Sequence, residues 1–352
     1  MLVKKIKVLL LGATGSIGTQ ACEVLREFPE QFSLVGISAN TNAKDLFSLQ
    51  KEFSCEKSAL VSPPEKNMAQ NSIFVGEEGL FQLVQETESD VAILAISGSL
   101  SPRLAKEILK SGKHLLLASK EALVEEGEEI LHLAKHYHRE IRPIDSEHSA
   151  LWQCLRAGEQ KEVSRLFLTC SGGPFLDAQK WPQSSFSSLT PQEAIAHPNW
   201  SMGQKISVDS ATLMNKALEL IEAVYLFDIP PEKIEVVIHP QSFLHSAVEF
   251  CDGSIIGQMG TPDMRIPIAH ALFSPNHAPL PFPKASFFGK TLTFDTVDEE
   301  RFPSILFARE ALKRKRCREM NQANEKAVTE FLSGKITFSE IFDRVRSVIY
   351  EE

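Results

Sequence analysis

The chain lacks most of what would tie it to a membrane, a nucleic acid or an oxidising compartment. No uninterrupted apolar run reaches the roughly 18 to 20 residues that a bilayer-spanning helix needs. The start, MLVKKIKVLLLGATG, has the basic and apolar order of a secretory leader. Its apolar run is short, however, and ends in a glycine turn instead of a small-residue cleavage site, so it is read as a strand. Excess positive charge is also missing: the net charge is -9, which argues against a phosphate backbone as the default partner. The densest basic run, KRKRCR at 313–318, lies in a helical-looking stretch flanked by acids. A solvated helix face is the plainer reading there, and a nucleic-acid or lipid contact the alternative. The six cysteines, Cys22, Cys55, Cys154, Cys170, Cys251 and Cys317, form no C-x-x-C pair and no zinc spacing, so they are expected as reduced thiols in a cytoplasmic protein.

What the chain does have is length and rhythm. At 352 residues and 43% apolar content it can bury two or three cores. Over 1–145, short apolar strands (KVLLLG, FSLVGIS, SALVS, DVAILAIS, HLLLAS, EIRPID) alternate with helical patterns, the first from Ser16. That alternation predicts α/β architecture with a doubly wound parallel sheet. Residues 146–273 mix strands such as RLFLTC, EVVIHP and SAVEF with at least one helix, giving a central α+β region. The proline-rich stretch beginning SPNHAPLPFPK marks an extended linker over 274–298. From 299 to 352, Ile305, Leu306, Ala308 and Leu312, then Ala323, Ala327, Val328 and Phe331, recur at helical spacing and predict a small helical bundle.

GATGSIG, residues 12–18, follows the first strand and opens the first helix. Gly12 permits the turn, Gly15 lets a diphosphate approach the backbone, and Gly18 allows close helix packing, while free N–H groups at the helix start favour the anion. A glycine-rich turn can also be only a turn. The second strand end discriminates: NAD enzymes carry an acid about 20 residues after the loop. Here Ser38, Asn40, Thr41 and Asn42 are neutral, Lys44 is near, and the first acid, Asp45, comes late. NADPH is therefore the expected cofactor.

Three further stretches carry candidate chemistry. In PIDSEHSALW, an extended chain would point Asp145 and Glu147 the same way, which calls for a cation between them. In LFLTCSGGPF, a strand ends in Ser171-Gly172-Gly173, whose amides could cradle phosphate or simply turn the chain. In HPNWSMGQKISVDSATLMNKALELIE, a helix is predicted from Ala211 with Asp209 or Ser210 as its cap. Asn215, Lys216 and Glu219 share one stripe of it, and Leu213, Ala217, Leu220 and Val224 the core stripe. The plain reading is a Lys-Glu pair on a wet surface. Against it, His197, Trp200 and Met202 sit among small and polar residues, as in a lid that closes over a ligand.

GATGSIG, ASKEALV, PIDSEHSA, SGGPF, HPNWSMGQKISVDSATLMNKALE, HPQS and PDMRIPIAHAL stand in the order found in 1-deoxy-D-xylulose 5-phosphate reductoisomerases, and the chain resembles that family from about residue 6 to 273 and in its tail. The resemblance implies a Rossmann-like N-terminal domain, a central catalytic and dimerisation domain with a lid, and a C-terminal helical domain. It implies NADPH, Mg2+ or Mn2+, a phosphorylated sugar substrate, and a homodimer built on the middle region's sheet. It places Asp145, Glu147 and Glu219 on the metal, with Lys120 and Glu147 as proton-handling groups. Ser146, Ser171, His197, Ser210, Asn215, Lys216 and Glu219 fall on the substrate, and Trp200 and Met202 in the lid. Thr14, Gly15, Ser16, Ile17, Ser119, Glu121 and Gly203 fall on the cofactor, Ser119 standing where many members carry asparagine. Two rival readings remain open. An ordinary dehydrogenase would leave the three acids without a role, and none of Tyr137, Tyr225 or Tyr350 has the lysine four residues on that the short-chain type needs. A catalytically dead nucleotide-binding regulator would be expected to have lost an acid or Lys216.

Overall fold

The computed structural model describes residues 5–63, 74–196 and 203–351. The chain forms two compact units. The first comprises Met1–Ala122, Glu126–Ser149 and Asp263–Phe282, the second Leu123–Glu125, Ala150–Pro262 and Pro283–Glu352.

The first unit is built on seven strands: β1 (Ile6–Leu11), β2 (Phe32–Ala39), β3 (Lys57–Leu60), β4 (Phe74–Val75), β5 (Val91–Leu94), β6 (His114–Leu117) and β7 (Ile141–Pro143). They lie in the order β4-β3-β2-β1-β5-β6-β7, each parallel to its neighbours. Parallel strands covered on both faces must be apolar throughout, and the Val8–Leu11 and Val91–Leu94 stretches are buried at every position. The chain starts at the centre, winds outward to β4, then returns to β5, so the strand order reverses between β1 and β5. In such sheets ligands bind at the carboxyl ends of the strands beside that reversal. Because all seven strands run one way, the loops after β1, β2, β6 and β7 share one edge of the sheet.

Residues 263–282, expected from sequence to lie partly in the middle region and partly in a linker, pack with this first unit. The physical reason is their apolar face. Ile268, Ala269, Ala271 and Leu272 join its core, and Phe273 meets Phe28 and Phe32 edge-on at 4.8 and 4.9 Å. Arg265 pins the return by bonding to Asp263 and Glu23 and lying over the Phe282 ring.

The second unit holds a mixed sheet of β8 (Val163–Cys170), β9 (Ile234–Ile238), β10 (Leu244–Phe250), β11 (Ile255–Met259) and β12 (Asp295–Thr296), in the order β11-β10-β8-β9-β12. Only β8 and β9 are parallel. The helical tail, Ser304–Arg314, Cys317–Leu332 and Phe338–Tyr350, forms as predicted, yet its core is not separate. Phe331 and Phe338 share one cluster with Leu166 and Leu168 of β8 and with Ala217, Leu220 and Ile221. Phe338 also meets Phe175 and Phe186 edge-on at 5.2 and 5.4 Å. Apart from β12, the stretch from 283 to 298 has neither helix nor strand. No described helix is long and apolar enough to cross a membrane.

Candidate active site

At the end of β1 the glycine turn is held from beneath. Gly12 takes φ +90°, and its amide donates to Ser38 Oγ at 3.1 Å, while the Ala13 amide donates to the Ser38 carbonyl at 2.7 Å. Gly18 packs so tightly that a Cβ there would lie 2.1 Å from the Gly12 carbonyl oxygen. Gly15 is the cap of the Ser16–Glu27 helix and is exposed with Ser16, Thr14 and Ile17 being partly covered. A backbone so bare at a helix start fits a diphosphate.

One expectation for the second strand needs correcting. Ser38 is fully buried and its hydroxyl braces Gly12, so it supports the turn and does not face a ribose. Asn42 caps the next helix, its Oδ1 accepting from the Asp45 amide at 3.2 Å and its Nδ2 donating to the Asp45 carboxylate at 2.7 Å. Asn40 and Thr41 are exposed, as is Lys44, and Asp45 is engaged by Asn42. That neutral, open surface fits a 2'-phosphate better than a carboxylate-gripped ribose.

After β6, Ser119, Lys120 and Glu121 are all nearly buried. Ser119 Oγ donates to Glu121 Oε2 at 2.8 Å and lies 2.6 Å from Ser101 Oγ, so Ser101, absent from the sequence expectation, steadies this segment. Lys120 is paired with Asp145 at 2.9 Å. After β7 the chain is not extended, contrary to the premise that put both acids on one strand face. A helix runs from Ser146 to Cys154, and Asp145 sits just before it. The reason is capping: Asp145 Oδ1 accepts from the Glu147 amide at 3.3 Å and lies 3.0 Å from His148 Nδ1, and the Asp145 carbonyl accepts from Ser149. Glu147 therefore stands in the first helical turn, with the Ser146 hydroxyl donating to it at 2.6 Å. His148, fully buried beside Asp145, is a second residue the sequence reasoning missed, although its place three residues after an acid on a helix could have found it.

The second unit contributes a different set. Ser171 directly follows β8, and Gly172 and Gly173 both take positive φ, +86° and +71°. The Gly173 amide donates to Ser171 Oγ at 3.3 Å, and a Cβ on Gly173 would lie 2.6 Å from the Ser210 carbonyl oxygen. Only glycine thus lets this turn lie against Ser210. Contrary to expectation, Asp209 and Ser210 do not cap a helix but lie inside one, Gln204–Ala211, whose own cap is Gly203. The helix predicted from Ala211 is interrupted at Leu213, which takes φ +59°, and resumes over Met214–Phe227.

On that second helix Asn215 Nδ2 donates to Glu219 at 2.6 Å, and Lys216 Nζ donates to the same carboxylate. Lys216 is 2% exposed and Glu219 1%, which removes the surface-pair reading. Burying two charges is costly unless they are paired and hydrogen-bonded, so a site is the better account of both. His197, Trp200 and Met202 lie outside the described residues.

Comparison with known proteins agrees with these elements. The family profiles of 1-deoxy-D-xylulose 5-phosphate reductoisomerase, its C-terminal domain, and the DXP reductoisomerase C-terminal domain match residues 8–127, 141–227 and 259–352. The reductoisomerase of Desulfitobacterium hafniense strain DCB-2 is 39% identical over 98% of this chain and 92% of its own length. That of Mycobacterium marinum is 43% identical over 98% and 86%. Among solved structures, the Zymomonas mobilis enzyme in complex with NADPH has a TM-score of 0.91 at 35% identity, covering 99% of this chain and 92% of that one. A reductoisomerase complex with NADPH, fosmidomycin and magnesium has 0.92 at 36%, covering 99% and 90%. With its dinucleotide turn, its carboxylates and its buried Lys216–Glu219 pair, the chain belongs to the 1-deoxy-D-xylulose 5-phosphate reductoisomerase family.

Proposed function

We propose that this chain carries out the reaction of its family, the NADPH- and divalent-metal-dependent isomerisation and reduction of 1-deoxy-D-xylulose 5-phosphate to 2-C-methyl-D-erythritol 4-phosphate. The observation that carries the reading is the burial of Lys216 and Glu219, a charged pair that core packing does not need. Asp145, Glu147 and Glu219 would hold the ion, an all-oxygen donor set suited to Mg2+ or Mn2+. When bound, the ion supplies Lewis acidity and the dinucleotide supplies hydride.

The remaining roles belong to the protein. Lys216 gives the phosphate one full charge, and Ser171, Ser210 and Asn215 give it neutral donors, while Ser146 contacts the substrate oxygens. Lys120, held against Asp145, and Glu147, held by Ser146, are positioned to move protons. Thr14, Gly15, Ser16 and Ile17 take the diphosphate, Asn40 and Thr41 the 2'-phosphate, and Ser119, Glu121 and Gly203 the nicotinamide side. His197 would contact substrate, with Trp200 and Met202 in the lid that excludes water.

The working state proposed is a cytoplasmic homodimer. β11 is an edge strand with Ile255, Ile256 and Met259 61%, 39% and 41% exposed, and a second copy pairing there would cover both its backbone and these side chains. Sedimentation that finds only monomer at micromolar concentration would contradict the dimer. The activity is tested by NADPH oxidation on 1-deoxy-D-xylulose 5-phosphate: turnover is expected with Mg2+ or Mn2+ and its loss with chelator. Reduction that persists after chelation would favour a metal-independent dehydrogenase.

A further inference from the structure

The turn that follows Ser210 is strained and is held from the C-terminal tail. Between the Gln204–Ala211 and Met214–Phe227 helices, Leu213 adopts a left-handed conformation, φ +59°, which a non-glycine residue keeps only where its surroundings enforce it. Two tail side chains provide that enforcement, one on each side of Ser210. Asn324, fully buried on the Cys317–Leu332 helix, donates through Nδ2 to Asp209 Oδ1 at 2.7 Å. Ser304, fully buried at the start of the Ser304–Arg314 helix, donates to the Thr212 carbonyl at 2.8 Å. Asp209 is itself 1% exposed and pairs with Lys205 at 2.9 Å, so the bond from Asn324 stabilises a carboxylate that water does not reach. From the third side, Gly173 abuts the Ser210 carbonyl.

We infer that Asn324 and Ser304 are positioning residues for the phosphate half-site. They fix the Asp209–Leu213 turn so that Ser210, at the end of one helix, and Asn215 and Lys216, at the start of the next, are aimed at one anion. Neither residue touches the substrate. The tail's place in the enzyme is thus to set the register of two helices as well as to complete a core. The inference rests on the reading of Ser210, Asn215 and Lys216 as the phosphate contacts.

The test is steady-state kinetics of Asn324→Leu and Ser304→Ala in the full-length enzyme with Mg2+, beside Val328→Ala, a core truncation on the same helix as Asn324. Loss of a buried hydrogen bond to a charged group predicts a rise in KM for 1-deoxy-D-xylulose 5-phosphate of about tenfold in Asn324→Leu, and of about threefold in Ser304→Ala. The inhibition constant of inorganic phosphate should rise in the same proportion, and KM for NADPH should stay at the parental value. Val328→Ala should keep the parental KM for both. A parental substrate KM in both test variants, or an equal rise in Val328→Ala, overturns the inference. A parent enzyme that does not turn the substrate over would instead overturn the proposed function, so the two failures are distinguishable. Should Asn324→Leu not fold, Ser304→Ala carries the test alone.

Discussion

Glu219→Gln is the substitution in which the burial argument is most exposed to measurement. Glutamine keeps the volume and can still accept from Asn215 Nδ2, so the change is close to removal of one charge beside Lys216. Were the pair on a wet surface, its loss would cost about 0–1 kcal/mol. With Lys216 at 2% and Glu219 at 1% exposure, the expected cost is about 3–5 kcal/mol, because a buried ammonium loses its adjacent carboxylate. One global midpoint would blur this in a chain of two units. Trp152, Trp181 and Trp200, the only tryptophans, all fall within the range of the second unit, so tryptophan emission during urea unfolding reports on it alone. The double variant Lys216→Met with Glu219→Leu should recover stability, to parental or up to about 4 kcal/mol above, since it removes both charges together. Both variants should be inactive, and both should bind NADPH as the parent does, because the dinucleotide turn belongs to the other unit. A loss below about 1 kcal/mol in Glu219→Gln, or weakened NADPH binding, would refute the reasoning.

Gly18→Ala places a methyl group 2.1 Å from the Gly12 carbonyl oxygen, and the turn cannot keep its shape. NADPH affinity measured by cofactor fluorescence should fall by at least tenfold, and parental affinity would show that Gly18 has no packing role. Burial pushes the thiols of Cys22 and Cys317 up to about 12, and those of Cys55 and Cys154 up to about 11, whereas Cys251 is exposed. At pH 8 the native protein should therefore be alkylated quickly at Cys251 and slowly at those four, as mass spectrometry of labelled peptides would read; rapid modification of Cys22 or Cys317 would contradict the packing. His245 is held below its ordinary value by burial, with His239 and Lys216 adding to the depression. As pH falls below about 6.5, the unfolded chain takes up a proton that the folded one does not, so stability drops by up to about 1.4 kcal/mol per pH unit. Above that range the contribution is fully present. His245→Gln should flatten this part of the slope in urea unfolding at pH 7 and 5, and an unchanged slope would remove His245 from the account.

What was legible in the sequence was local, and what was not depended on contacts between distant segments. The GATGSIG turn, the parallel strands and the tail helices all follow from residues close together in the chain, and all formed. Ser38 was misplaced because its burial beneath Gly12 comes from the pairing of β1 with β2, where Leu11 lies opposite Ser38. The break at Leu213 has no glycine or proline to announce it, and the bonds that reach its flanks at Asp209 and Thr212 come from Asn324 and Ser304, more than 90 positions away. The Asp145–Glu147 geometry differs from the extended expectation for the opposite reason: a capping aspartate and the helix it starts are both local features, and they override strand periodicity. Lys216 and Glu219 have the spacing of a surface pair, and only the packing of the whole second unit buries them. Residues 263–282 rejoin the first unit through Phe28 and Phe32, a pairing no window of sequence displays.

Asp145, Glu147 and Glu219, drawn from separate parts of the chain, are proposed to share one divalent ion. Mn2+ titration followed by electron paramagnetic resonance, on the parent and on Asp145→Asn, Glu147→Gln and Glu219→Gln, measures it most directly. The expected result is one bound Mn2+ per chain, with affinity reduced at least tenfold by each substitution. Parental affinity in any one of the three variants would remove that residue from the site, and in all three would remove the site itself.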